Sequence, residues 1–210
     1  MRSRVRDLEQ QSDRLLKYLE GLVCRTKFAV SPKRASDIEG LIYEILGHSA
    51  DIVKRPIRMP NGEEILLFYL SSMVEEKRIE ETIIEPLSLW QGQTASQLLQ
   101  VEENGIFSTQ VEKTFQGEKI IKGMLQGDAI LGFSSMPGAL IVSVRQPKSR
   151  EVQDPLVEVL TRGPRDSFTE TAIWNIALVR RRLMDPNLRV IQKTVGFAVR
   201  RTSTFCISTM

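Results

Sequence analysis

The sequence is short of the residues on which metal centres and most hydrolytic sites depend. It carries two cysteines, Cys24 and Cys206, and one histidine, His48, among 210 residues. Cysteines so far apart, in segments of different character, form neither a disulfide framework nor the close pairs of a zinc site, and a reducing compartment is the simpler expectation. A single histidine leaves no two-histidine metal site, and a catalytic triad would have to be built around that one ring. No apolar run approaches the roughly 18 residues of a membrane span, and the charged start, with Arg2, Arg4, Arg6 and Asp7, lacks the apolar centre of a secretory signal. The chain as written is therefore expected neither to cross a membrane nor to be exported. Aromatic residues are only 6% and the basic run is short, which speaks against nucleic acid as a partner. The sequence has no Walker-type phosphate loop, nucleophile elbow or two-histidine zinc motif. The expectation is a protein that is not an enzyme, with no catalytic residues, no metal ligands and no cofactor.

What is present is the ordinary mixture of a folded protein, 41% hydrophobic and 26% charged. A chain of this length suits one large domain or two small ones, and two are expected. The net charge of +3 is unevenly spread: residues 155–210 hold nine Lys and Arg against four Asp and Glu, so the basic character belongs to the last quarter.

Residues 1–30 read as a charged arm or short docking helix. Ser31 and Pro32 suit a helix start, and Ile38, Leu41, Ile42, Ile45 and Leu46 then repeat at helical spacing up to a stop at Gly47. Residues 51–58 read as an edge strand, because Pro56 cannot donate to a ladder, and Asn61-Gly62 turns the chain into the apolar strand 65–70. A helix follows from about Glu75, which Pro86 should end or kink. Residues 94–103 suggest another short helix closed by Asn104 and Gly105, which places the boundary between an N-terminal α/β subdomain, 31–105, and a second one, 106–210. In the second, residues 119–126 should be a helix with Ile120, Ile121, Met124 and Leu125 inward and Gly127 as its cap. Strands are expected at 128–133 and 139–145. A capping box, Ser167 to Glu170, opens a helix that should end by Met184, and two strands, 188–195 and 203–208, complete the chain. Their order, strand then strand, echoes residues 51–70, where a helix comes next, and suggests a cryptic repeat whose second copy stops before its helix. The fold class is mixed α/β: two small subdomains, each a short sheet flanked by helices.

Two stretches, 49–87 and 162–190, carry a family resemblance. Asp51 opens a strand, and Arg162, Gly163, Pro164, Arg165, Phe168, Glu170, Asn175 and the run Arg180 to Arg182 surround a helix. In this pattern, and in "LQGDAILGF" and "REVQDPLVEVLTRGPR" between them, the chain resembles the GerA family of spore germinant receptor A subunits over roughly residues 35–210. Departures occur at Asp154, where a glutamate is more usual, and at Trp174, where a small polar residue is. The resemblance implies the N-terminal part of such a subunit, followed in the family by more of the same region and a membrane-embedded domain. It implies a role in nutrient germinant sensing, receptor assembly and signal transmission, with the germinant an amino acid, sugar or nucleoside. It also implies B and C subunits, and other A subunits, as partners. The location implied is the inner spore membrane, with this region on the cytoplasmic, spore-core side.

Among individual residues, Arg180 falls near the middle of an apolar arc formed by Ala172, Ile173, Ile176, Ala177, Val179, Leu183 and Met184. A charge there must find a partner or snorkel over the helix edge. Glu158 and Asp154 are the expected partners, with Asp166 third. Arg162 and Arg165 precede a helix start, where they can hold an anion, build a rigid turn by pairing with nearby acids, or make a subunit contact. An anion- or nucleotide-binding enzyme using Arg162, Arg165 and Arg180 as clamps is the alternative function. Arg181 and Arg182 are expected on the solvated face, His48 at a helix end, and Tyr43, Tyr69, Trp90 and Trp174 in core packing.

Overall fold

The apolar stripe Ile38, Leu41, Ile42, Ile45 and Leu46 becomes the buried face of helix α1 (Ala35–Leu46). The computed structural model describes residues 31–90, 109–145, 171–195 and 201–208. The start of α1 differs from the expectation built on Ser31 and Pro32. The Asp37 carboxylate accepts from the amides of Lys33 at 2.9 Å and Arg34 at 3.1 Å, so a side chain inside the first turn satisfies them and the helix begins three residues later. Pro32 is instead buried, its carbonyl accepting from the Gly138 amide.

Strands β1 (Ile52–Arg58) and β2 (Glu64–Leu70) form the expected hairpin, with Gly62 in the left-handed region at φ 84°. Pro56 lies on β1, which is an edge strand as expected. Helix α2 spans 76–88 in three pieces, α over Glu76–Ile79, π over Glu80–Ile84 and α over Glu85–Ser88. Pro86 does not end it: the widened turn just upstream absorbs the missing amide, and the helix runs on through Leu87 and Ser88. Then come β3 (Val111–Thr114), α3 (Gly117–Gln126), β4 (Ala129–Phe133) and β5 (Ala139–Val142). Helix α3 buries Ile120, Ile121, Met124 and Leu125 and stops at Gly127, φ 89°, as its sequence dictates.

All five strands join one antiparallel sheet in the order β1-β2-β4-β5-β3. This corrects the division at residue 105, because β2 and β4, from either side of it, are direct neighbours. On one face α1 and α3 pack Ile42, Leu46, Ile120 and Met124 against Phe68 and Ile130. On the other α2 packs Ile79, Ile83 and Leu87 against Leu67, Tyr69 and Leu131. With both faces covered, β2, β4 and β5 read as continuous apolar runs.

Helix α4 (Ala172–Leu183) and the hairpin of β6 (Leu188–Val195) and β7 (Arg201–Ser208) form the second, smaller assembly. The expected apolar arc of α4 is largely unburied: Ile176 and Ala177 are covered, while Ile173, Leu183 and Met184 are half-exposed, and Trp174 is part-exposed rather than core. The architecture is mixed α/β, antiparallel sheets flanked by helices. The expected arm 1–30, the helix at 94–103 and the capping box Ser167–Glu170 lie outside the described residues.

Candidate functional site

The chain between α1 and β1 is turned by Gly47, at φ 61°, and delivers Ser49 and Asp51 to the base of β1. Asp51 is fixed there by its own backbone, its carbonyl accepting from the Ser71 amide at 2.8 Å at the end of β2. From 129 residues further on, Arg180 of α4 reaches the same point. It is 1% exposed, which excludes the snorkelling alternative. Its Nε donates to Asp51 Oδ2 at 2.5 Å and its Nη2 to Oδ1 at 2.8 Å, a two-pronged pair. Nη2 also lies 3.0 Å from Ser49 Oγ and 3.4 Å from the Leu188 carbonyl.

Hydroxyl groups complete the arrangement. Ser49 donates to Asp51 Oδ1 at 2.7 Å and accepts from the Val190 amide at 2.8 Å, while Ser72 donates to Oδ2 at 3.0 Å. Each lone-pair direction of the carboxylate is thus addressed. Burial pushes the Asp51 carboxyl up, but the Arg180 guanidinium, with Ser49 and Ser72, outweighs it and holds the pKa below the ordinary aspartate value. Arg180 Nη1 is buried without a hydrogen-bond partner.

Two further contacts join the smaller assembly to the large sheet at this place. The Ala50 amide donates to the Val190 carbonyl at 2.8 Å. Arg189 crosses Gly47 and donates from Nη2 to the Ile45 carbonyl at 2.9 Å, capping the last turn of α1, and from Nη1 to the Pro186 carbonyl at 2.5 Å. A second buried acid, Asp128, opens β4 and is held in the same two-pronged way by Arg145, at 2.7 Å from each oxygen, but this pair lies within the large sheet assembly.

Of the residues singled out in the sequence, Arg180 is therefore the centre of the site, and among the described residues its acidic partner is Asp51, which was not among the expected ones; the expected Glu158, Asp154 and Asp166 lie outside the described residues. Arg162, Arg165 and Glu170 also lie outside them. Asn175 is half-buried on α4, one and a half turns before Arg180. Arg182 is exposed and Arg181 half-buried. His48 stacks on Tyr43, ring centroids 4.8 Å apart. Ser49, Ser72 and Arg189 escaped sequence reasoning; the one available signal was Asp51 itself, the acid at a strand's opening.

A mixed α/β protein of two antiparallel sheets, joined through a buried aspartate–arginine pair, is the class that this fold and site define. The sequence model described as "Bacillus/Clostridium GerA spore germination protein" matches residues 41–207, and the chain belongs to that family. Spore germination protein KA of Bacillus subtilis is 30% identical over 170 residues, 80% of this chain and 31% of that protein. Stage V sporulation protein AF of the same organism is 30% identical over 152 residues, 72% of this chain and 31% of the relative. The chain thus spans about a third of the length of these relatives. The crystal structure of the N-terminal domain of the A subunit of the Bacillus megaterium spore germinant receptor GerK3 shares the fold, with a TM-score of 0.65 at 22% identity over 86% of this chain and 67% of that one. Among the described residues no helix is long and apolar enough to cross a membrane.

Proposed function

We propose that this chain is the N-terminal module of a spore germinant receptor A subunit and that it does no chemistry: it takes part in sensing a nutrient, in assembly with B and C subunits and other A subunits, and in passing the signal to a membrane domain. Its place is the cytoplasmic, spore-core side of the inner spore membrane. The germinant class is an amino acid, sugar or nucleoside. The observation that carries this reading is the family match over residues 41–207. The buried Asp51–Arg180 pair supports the non-enzymatic part of it, since the Arg180 guanidinium commits its Nε and Nη2 to a protein carboxylate rather than to a substrate phosphate.

The alternative, an anion- or nucleotide-binding enzyme clamping phosphate with Arg162, Arg165 and Arg180, loses one of its three clamps to Asp51. Spores whose full-length subunit lacks this module are expected to lose nutrient-triggered germination while still germinating with a nutrient-independent trigger. Germination at normal rates with nutrient would overturn the proposal. Calorimetric titration of the module with amino acids, sugars and nucleosides separates direct binding from transmission alone.

A further inference from the structure

The Asn61-Gly62 pair that turns the first hairpin carries chemistry of its own, at the end of β1 and β2 opposite to Asp51. Within this turn the Gly62 amide donates to the Met59 carbonyl and the Met59 amide to the Glu63 carbonyl, each at 2.9 Å. Pro60, Asn61 and Gly62 are exposed, and nothing lies within 4 Å of the place a Gly62 Cβ would take, so no side chain shields the Gly62 nitrogen from water. The Asn61 amide is held beside it, with Oδ1 accepting from the Glu63 amide at 3.0 Å. A donor in that position stabilises negative charge as it grows on the oxygen.

We propose that Asn61 is a self-modifying site, at which the Gly62 nitrogen attacks the Asn61 side-chain amide and converts it, without an enzyme, to isoaspartate and aspartate. The Gly62 amide gives its proton to hydroxide, and its nitrogen forms a bond to Asn61 Cγ. The bond from Cγ to Nδ2 breaks, and Nδ2 takes a proton from water and leaves as ammonia. A second water then opens the five-membered imide. Opening at Cγ gives aspartate, and opening at the main-chain carbonyl gives isoaspartate. The sum is asparagine and water in, acid and ammonia out, with nothing oxidised or reduced.

The Gly62 amide is tied to Met59, so the attack waits for that one hydrogen bond to open, an event far smaller than unfolding. Either product adds a negative charge beside Glu63 and Glu64, near Arg58. Isoaspartate also adds a carbon to the backbone of the turn that sets the β1–β2 register, beginning at Arg58↔Glu64.

The test is to hold the protein in mildly alkaline buffer, digest samples at intervals and read residue 61 by mass spectrometry with fragmentation that distinguishes isoaspartate from aspartate. Both acids are expected, with isoaspartate in excess and ammonia released in equal amount. Pro60→Ala, which loosens the turn, is expected to speed the conversion by about two- to fivefold. Asn61→Ser, checked for folding by circular dichroism, is expected to form no acid at this position. An Asn61 amide that survives intact while a synthetic peptide of residues 57–66 is fully converted overturns the proposal. So does aspartate without isoaspartate, which would mean direct hydrolysis, or a rate that Pro60→Ala leaves unchanged.

Discussion

Asp51 is a short side chain holding four hydrogen bonds, two from Arg180 and one each from Ser49 and Ser72, in a place with almost no solvent. Such a pair adds little when compared with apolar packing, but breaking it is expensive because the surviving charge is left buried. Asp51→Asn is expected to lower unfolding stability by about 3–5 kcal/mol, read from urea titration curves. Ser49→Ala removes the acceptor of the Val190 amide and a donor to Asp51 together, and a loss of about 1–3 kcal/mol is expected in the same assay. The sequence showed that Arg180 sits amid apolar neighbours and must be paired or displaced. It did not show with what, because acids close in sequence, Asp154 and Glu158, look as suitable as one 129 residues away, and charge spacing along a chain carries no information on long-range contact. Asp51 was visible only as a residue opening a strand.

At the scale of elements, the helices α1 and α3 and the first hairpin were legible because local periodicity, a turn dipeptide and a glycine stop all agreed. What failed was non-local. The pairing of β2 with β4 merges segments that composition had put in separate units, and no 3.6- or 2-residue pattern reports which strand lies beside which. The α4 wheel failed for a related reason: apolar spacing tells which residues could face a core, not whether a second layer is there to receive Ile173 and Leu183. Gly47 is where elements meet most tightly, since a Cβ there would run into the Arg189 side chain that caps α1, on a backbone already at φ 61°. Gly47→Ala is expected to cost on the order of 1–3 kcal/mol. By native-state hydrogen exchange, its amides in β6 are expected to lose more protection than those in β4, and equal losses in both would count against Arg189 as the link.

For the whole molecule, the depressed Asp51 pKa gives stability a definite pH dependence. An acid whose folded pKa is below its unfolded value of about 3.9 contributes fully above that value, because the unfolded chain then gains no proton advantage, and its contribution fades as pH falls through the lower folded pKa. The stability gap between the natural chain and Asp51→Asn is therefore expected to stay constant from pH 7 to about 5 and to narrow below about pH 4, measured as urea midpoints across a pH series. A gap that widened in acid would show that the carboxylate is not the charged partner.

The contacts at residues 45–51 also define a load path. A tug on the second hairpin would arrive at the Ile45 carbonyl, the Ala50 amide and the Asp51 carboxylate within a few residues of one another, at the root of β1 and the tail of α1. Those links would be strained side by side rather than one after another, so the joint would resist as a rivet does, holding until it shears and then letting go at once.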